Sequence, residues 1–176
     1  MEELKYTRIE YERRFLVSPS SKWRDVVENY SKVFIDKYLR GTRLRLRHLT
    51  DTDTGRQIIK LTKKLESDSP YHQTISRILL SDAEYAIFCE SPGDPIRKTR
   101  YYHNYCDRVF SIDVFEGELD GLVLCETEAD SLEELMAVEP PPYTLCEVTE
   151  DPFFTGGNLC RITRQELLGR LQLSDK

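Results

Sequence analysis

The chain has 176 residues, 39% hydrophobic and 32% charged, with 10 Tyr and 7 Phe, enough to bury the core of one soluble domain. Its formal net charge of -6 argues against a general nucleic-acid footprint, and it has neither a run of about 18 apolar residues nor an apolar h-region in its N-terminal MEELKYTR, so membrane spanning and secretion are not expected. Cys89, Cys106, Cys125, Cys146 and Cys160 show no CxxC spacing and His48, His72 and His103 are scattered singly, which points to reduced thiols in a cytoplasm and to no zinc site.

The first strand is expected over about residues 5–17. Its segment IEYERRFLV puts Glu10, Glu12 and Arg14 on one face and Ile9, Tyr11 and Phe15 on the other. Ser18-Pro19-Ser20-Ser21 breaks the chain ahead of a short amphipathic helix carrying Trp23, Val26, Val27 and Tyr30, with Trp23 in the core. The second strand, about residues 32–39, groups Phe34, Asp36 and Tyr38 on one face. Gly41 opens a turn into the third, 42–49, where Arg43, Arg45 and Arg47 oppose Leu44, Leu46 and His48. A turn at 51–55 leads to the fourth, 56–65, in which Ile58, Lys60, Thr62 and Lys64 alternate with Ile59, Leu61 and Lys63.

Residues 71–80 form a fifth strand, and Ser81 with Glu84 makes a capping box for a helix ending near Glu90. Ser91-Pro92-Gly93-Asp94-Pro95 then separates it from a sixth strand, 96–105, with Lys98 and Arg100 on one face. The seventh, 108–115, groups Asp113 with Val109 and Ser111, and the eighth, about 122–128, aligns Leu122, Leu124, Glu126 and Glu128. Ser131 with Glu134 and Thr163 with Glu166 are further capping boxes, for helices at 132–138 and 164–173. Residues 153–159 read as a tight turn with structural glycines, since no GxxxxGK[ST] phosphate loop is present. Cys125 reads as packing, and His72 and His103 as surface or hydrogen-bonded side chains.

About eight strands joined mainly by hairpins favour a mainly β (α+β) fold, an antiparallel sheet closed into a barrel so that no edge stays open, with short helices outside. If the charged faces pointed outward, the surface would be salt-bridged and the lumen apolar. The opposite faces, however, carry Ile9, Phe15, Leu46, Ile59, Leu61, Phe110 and Ile112, and amphipathic helices need such a surface to pack on. Turning the barrel polar-side-in satisfies both facts. Buried charge on that scale requires a wet lumen and balancing ligands. The cations Arg14, Arg45, Arg47, Lys60, Lys98 and Arg100 suit a polyanion, whereas the carboxylates Glu10, Glu12, Asp113, Glu126 and Glu128 suit a hard divalent cation, Mg²⁺ or Mn²⁺.

These residues also form a pattern. Glu10-x-Glu12-x-Arg14 resembles the ExExK signature of the CYTH domain, or triphosphate tunnel metalloenzyme superfamily. The similarity continues in order through Tyr38-Leu39, Arg45-Leu46-Arg47, Lys60, Lys98-Thr99-Arg100-Tyr101, Asp113-Val114-Phe115, Glu126-x-Glu128 and Val148-Thr149-Glu150-Asp151. Within that group the chain resembles the small bacterial inorganic tripolyphosphatases. The resemblance implies one domain over residues 1–176, an eight-stranded polar tunnel, and metal-dependent hydrolysis of tripolyphosphate or a nucleoside triphosphate with release of phosphate. It implies Glu10, Glu12, Glu126 and Glu128 as ligands of Mg²⁺ or Mn²⁺ with Asp113 additional, and Arg14, Arg45, Arg47, Lys60, Lys98 and Arg100 as the phosphate clamp. Tyr38 and Arg14 take catalytic positions: an adjacent cation lowers the pKa of Tyr38 toward base strength, or else Tyr38 simply packs.

Two positions depart from the pattern. Arg14 replaces the signature lysine and cannot deprotonate. In the fifth strand, where relatives carry Arg and Glu, this chain has His72-Gln73-Thr74-Ile75-Ser76-Arg77, so one contact is expected to be missing unless Arg77 supplies it. Adenylate cyclisation and non-catalytic polyphosphate or nucleotide sensing are the alternative functions. No nucleic-acid or membrane partner is expected, and a homodimer is compatible with the pattern.

Overall fold

The computed structural model describes residues 7–174, so Lys5 and Tyr6 of the expected first strand lie outside the described residues. The elements, in order, are β1 (Thr7–Val17), β2 (Ser31–Leu39), β3 (Leu44–Asp51), β4 (Gln57–Lys64), β5 (His72–Leu79), α1 (Asp82–Cys89), β6 (Gly93–Tyr105), β7 (Arg108–Phe115), β8 (Val123–Ala129), α2 (Leu132–Met136), β9 (Thr144–Glu147), α3 (Gly156–Leu159) and α4 (Arg164–Ser174). The first eight strands pair antiparallel in the order β5-β4-β3-β2-β6-β7-β8-β1, and a β5–β1 pairing closes the ring. This is the expected eight-stranded barrel.

β1 closes the barrel by changing neighbours along its length. Thr7 to Tyr11 pair with β5, Tyr11 to Leu16 pair with β8, and beyond the reach of β5 the other edge of Phe15 to Val17 is taken by β9. β9 was not anticipated from the sequence. It has four residues and follows Pro140-Pro141-Pro142, so its pairing is a product of tertiary contact rather than local propensity.

Strand and helix bounds otherwise fall within a few residues of expectation, with two differences. The helix anticipated around Trp23 is a single 3-10 turn, Trp23–Asp25, without a side-chain cap at Lys22. Trp23 is buried as expected, but Val26 and Tyr30 are exposed, so no apolar face sustains further turns. β6 starts at Gly93 rather than after Pro95. Gly93 lies where an added Cβ would sit 2.7 Å from the Tyr38 carbonyl oxygen, so a bare backbone lets the two strands close there. The Ser81–Glu84 capping box forms in both directions, as does the pair Thr163–Glu166, whereas at Ser131 only the hydroxyl cap on the Glu134 amide is made.

Outward-facing apolar side chains carry the helices. Leu46, Ile59 and Leu61 of β3 and β4 pack under Tyr85 and Phe88 of α1, while Phe15, Phe110, Ile112 and Cys125 pack with Trp23, Val138 and Tyr143. One end of the bore is also apolar. Leu16, Ile96, Phe115 and Leu124 cluster with Phe154, Leu159 and Leu167 of the C-terminal segment, which plugs that end. Residues 153–159 are therefore a 3-10 turn followed by one turn of helix, rather than a simple tight turn. Among the described residues no helix is long and apolar enough to cross a membrane. Phe154→Ala is expected to remove about 3–5 kcal/mol of stability, read as a lower urea midpoint at unchanged m-value.

Candidate active site

Strand alternation delivers the charged faces to one bore. Arg14 stands directly across from Glu126 and Glu12 from Glu128 on the β1–β8 pair, Asp36 faces Arg47 and Tyr38 faces Arg45 on β2–β3, and Arg100 faces Asp113 on β6–β7. An inner cavity of about 80 Å³ is walled by Glu10, Glu12, Arg14, Asp36, Tyr38, Arg45, Arg47, Lys64, Arg77, Lys98, Arg100, Glu126 and Glu128. It opens into a mouth of about 450 Å³ that shares Glu10, Glu12, Arg14, Tyr38, Arg45 and Lys64 with it and adds Arg43, Tyr71 and Arg161. Lys60 shares the inward face of β4 with Lys64, across from Arg47, but lines neither cavity.

Two carboxylates with almost no exposure fix the cations of one wall. Arg47 donates Nε and Nη2 to the two oxygens of Asp36, both at 2.6 Å. Arg100 donates Nε and Nη2 to Asp113, again at 2.6 Å each, and Nη2 also to Glu126 at 2.7 Å, while the Lys98 ammonium donates to Asp113. Burial alone would protonate Asp36, but Arg47 and Arg45 outweigh it and hold its carboxyl well below the ordinary value of 3.8. Glu126 is likewise held far below the ordinary carboxylate range by Lys98, Arg14 and Arg100 against the effect of burial. Arg14 donates to Glu12 and, at 2.9 Å, to Glu126.

Next to Arg47, on the same face of β3 and on β4, are cations without such anchors. Arg45 is buried, its Nε lacks a hydrogen-bond partner, and it makes no ion pair among the described residues. The Thr62 hydroxyl directly across from it is buried and unpartnered as well. Burial, reinforced by Arg77 and Arg47, lowers the Lys60 pKa, and burial lowers that of Lys64 against the attraction of Glu12; among the described residues neither lysine makes an ion pair. Unsatisfied donors in a buried cationic wall mark a place prepared for an anion.

Carboxylates crowd the other side of the same chamber. Glu12 and Glu128 face each other in register, and burial together with Glu10 and Glu12 raises the Glu128 pKa. Glu10 accepts from Arg8 at 2.5 Å and Arg77 at 2.9 Å, while Glu128 lies 3.8 Å from Arg8. Among the described residues no three His, Cys, Asp or Glu side chains converge as a ready-made metal cage. The like-charged oxygen donors Glu10, Glu12 and Glu128 nevertheless fit a hard divalent cation, which would relieve their mutual repulsion.

No family model matches the chain. An inorganic triphosphatase of Nitrosomonas europaea is 31% identical over 153 residues, spanning 81% of this chain and 90% of the relative. The chain belongs to the triphosphate tunnel family. Two crystal structures of the protein NE1496, the second described as an inorganic triphosphatase, superpose with TM-scores of 0.56 and 0.54 at 26% and 25% identity, over 88% and 86% of this chain and 99% and 93% of theirs. PH1819 of Pyrococcus horikoshii shares the fold, with a TM-score of 0.53 at 17% identity over 72% of this chain and 82% of its own.

Within this tunnel-family site, the structure brings Glu10, Glu12, Arg14, Tyr38, Arg45, Arg47, Lys98, Arg100, Glu126 and Glu128 together around the inner cavity. Asp113 stands behind it, fully buried, with both oxygens engaged by Lys98 and Arg100. Arg77 does supply a tunnel contact from the altered fifth strand, through Glu10. Tyr38 differs from expectation in its acidity. Burial pushes its pKa up despite Arg45, and its hydroxyl packs so closely on Gly156 that a Cβ there would meet it at 1.9 Å. His103 is hydrogen-bonded to Tyr143 and Cys125 is buried, as expected. Asp36 and Lys64 were not singled out from the sequence. Their alternation with Tyr38 and Lys60 was the available signal, and only the strand register reveals their partners.

A depressed folded pKa means that Asp36 contributes stability present above about pH 4 and lost as pH falls through the depressed value. Asp36→Asn, which leaves Arg47 buried without its partner, is expected to cost about 3–5 kcal/mol at pH 7 and to flatten the acid limb of a stability–pH curve. Equal denaturant midpoints for the two proteins at pH 7 would contradict this anchoring.

Proposed function

We infer that the chain hydrolyses a phosphoric anhydride bond of a triphosphate, inorganic tripolyphosphate or a nucleoside triphosphate, with a divalent cation in the tunnel. The observation that carries this reading is the buried Arg45, hydrogen-bonded to Tyr38 but with a partnerless Nε and no carboxylate in an ion pair with it among the described residues, on a cationic wall facing the crowded carboxylates Glu10, Glu12 and Glu128. A chain of phosphates carries the charge that satisfies such a wall, and guanidinium groups fork onto its oxygens.

In this reading Arg45, Lys64, Arg47, Lys98 and Arg100 bind the phosphates, and Lys60 adds long-range positive potential. Their fixed charges stabilise the negative charge spread over the transferring phosphoryl oxygens without reorganising during the reaction. Glu10, Glu12 and Glu128 would hold the divalent ion, Mg²⁺ or Mn²⁺, with Glu126 beside them, while Asp113 orients Lys98 and Arg100. When bound, that ion would supply positive charge to offset the carboxylates and the substrate and would lower the pKa of a water. Tyr38, with its raised pKa, works as a neutral hydroxyl that donates a hydrogen bond, and Arg14 works as a permanent cation that keeps Glu12 and Glu126 in place. The five free cysteines support a cytoplasmic setting.

Phosphate release from tripolyphosphate is expected with Mg²⁺ or Mn²⁺, not with chelator, and not from Glu12→Gln combined with Glu128→Gln. Metal-independent release, or binding without turnover under every divalent ion, would overturn the assignment. Arg45→Gln is expected to raise KM about 10- to 100-fold, the loss of one or two charge-assisted hydrogen bonds; an unchanged KM would remove Arg45 from the clamp.

A further inference from the structure

Among the aromatic side chains near the tunnel cations, Phe34 is the one that meets cations from two strands at once; Phe115 touches Lys98 alone, its centroid 5.3 Å from the ammonium, and Tyr38 lies beside Arg45. Phe34 lies on the inward face of β2, next to Asp36 in the alternation and directly across from Lys98, and is 4% exposed. The Arg47 guanidinium carbon is 4.6 Å from its ring centroid, that of Arg100 5.2 Å, and the Lys98 ammonium 5.9 Å. These cations come from two strands on either side of β2, and the ring is the group they share.

Asp36 and Asp113 each grip one edge of a guanidinium, and Glu126 also accepts from Nη2 of Arg100. Nε and Nη2 of Arg47 are taken by Asp36, and Nε and Nη2 of Arg100 by Asp113. Among the described residues Nη1 of neither arginine has a partner, so that edge is the donor left for a ligand. A face contact with a ring adds to the bidentate edge contact and holds the guanidinium plane from a second direction. The ring also eases the repulsion among three neighbouring cations through its negative face, without offering an acceptor oxygen that would compete with phosphate for the donors.

We propose that Phe34 is a positioning residue of the tunnel, whose ring holds Arg47, Arg100 and Lys98 with their free donors turned to the phosphates. This rests on the triphosphate reading of the site. The test is calorimetric titration of the folded chain with tripolyphosphate, with chelator and with Mg²⁺, across phenylalanine analogues carrying one, two and three ring fluorines at position 34. Fluorination weakens the ring's negative face at nearly constant shape. Affinity is expected to fall stepwise along the series, and Phe34→Leu to bind about tenfold or more weakly, with Phe34→Tyr restoring affinity. Phe110→Leu, a buried position on the outer face, is expected to lower the melting temperature and leave affinity unchanged. A flat fluorine series with a native chain that binds would overturn the role of Phe34 alone. Absence of tripolyphosphate binding by the native chain in either condition would overturn the triphosphate reading and, with it, this role.

Discussion

A barrel that turns its charged faces inward can stand only if each buried charge finds an opposite one, because an isolated ion in a low-dielectric interior costs several kcal/mol. Most of the bore meets that condition internally. Asp36 holds Arg47, Asp113 holds Lys98 and Arg100, and Glu126 bridges Arg100 and Arg14. The remainder is less complete: Arg45 and Lys64 on β3 and β4 make no ion pair among the described residues, and across the chamber Glu128 is crowded by Glu10 and Glu12, of which Glu10 is held by Arg8 and Arg77 and Glu12 by Arg14. In the proposed function the paired charges serve as the scaffold of the site and the unpaired cations as its anion-binding surface.

The fold gives that division its geometry. Closure between β1 and β5 brings the acidic strand β1 round to complete the wall that contains β3 and β4, so that chemistry scattered from residue 10 to residue 128 meets in one chamber. The apolar plug of Leu16, Ile96, Phe115, Leu124, Phe154 and Leu159 blocks one end and keeps the charged section short. Gly156 belongs to this plug and lets the Tyr38 hydroxyl sit against the backbone, which joins the C-terminal segment to the chamber. Rigid pairing behind and unmet charge in front is the arrangement that electrostatic preorganisation requires.

Much of this could be read from the sequence because strand alternation has a period of two and the charges obey it over several strands in succession. Glu10, Glu12, Arg14, Arg45, Arg47, Lys98, Arg100, Glu126 and Glu128 identified their own face, and the helices identified the opposite one. What could not be read depended on pairing between distant strands. Asp36 is one acid between two aromatic residues until β3 places Arg47 beside it. Arg77 becomes a tunnel residue only through its contact with Glu10. β9 has no local signature because its stability comes from the edge of β1, and the helix after Trp23 stops at one turn with Val26 exposed and Tyr30 stacked on Tyr102 of β6 instead of on a helix face. The rise in the Tyr38 pKa follows from burial under Gly156, a contact between residues far apart in sequence that alternation does not encode.

The most direct test of a chamber divided between anion and cation is a crystal soaked with Mn²⁺ and tripolyphosphate, with anomalous differences recorded at the manganese edge. The expected result is a manganese peak among Glu10, Glu12 and Glu128, and phosphate density against Arg45 and the edges of Arg47 and Arg100. Manganese on the outer surface, or phosphates lodged away from Arg45, would contradict the division of the chamber and the function inferred from it.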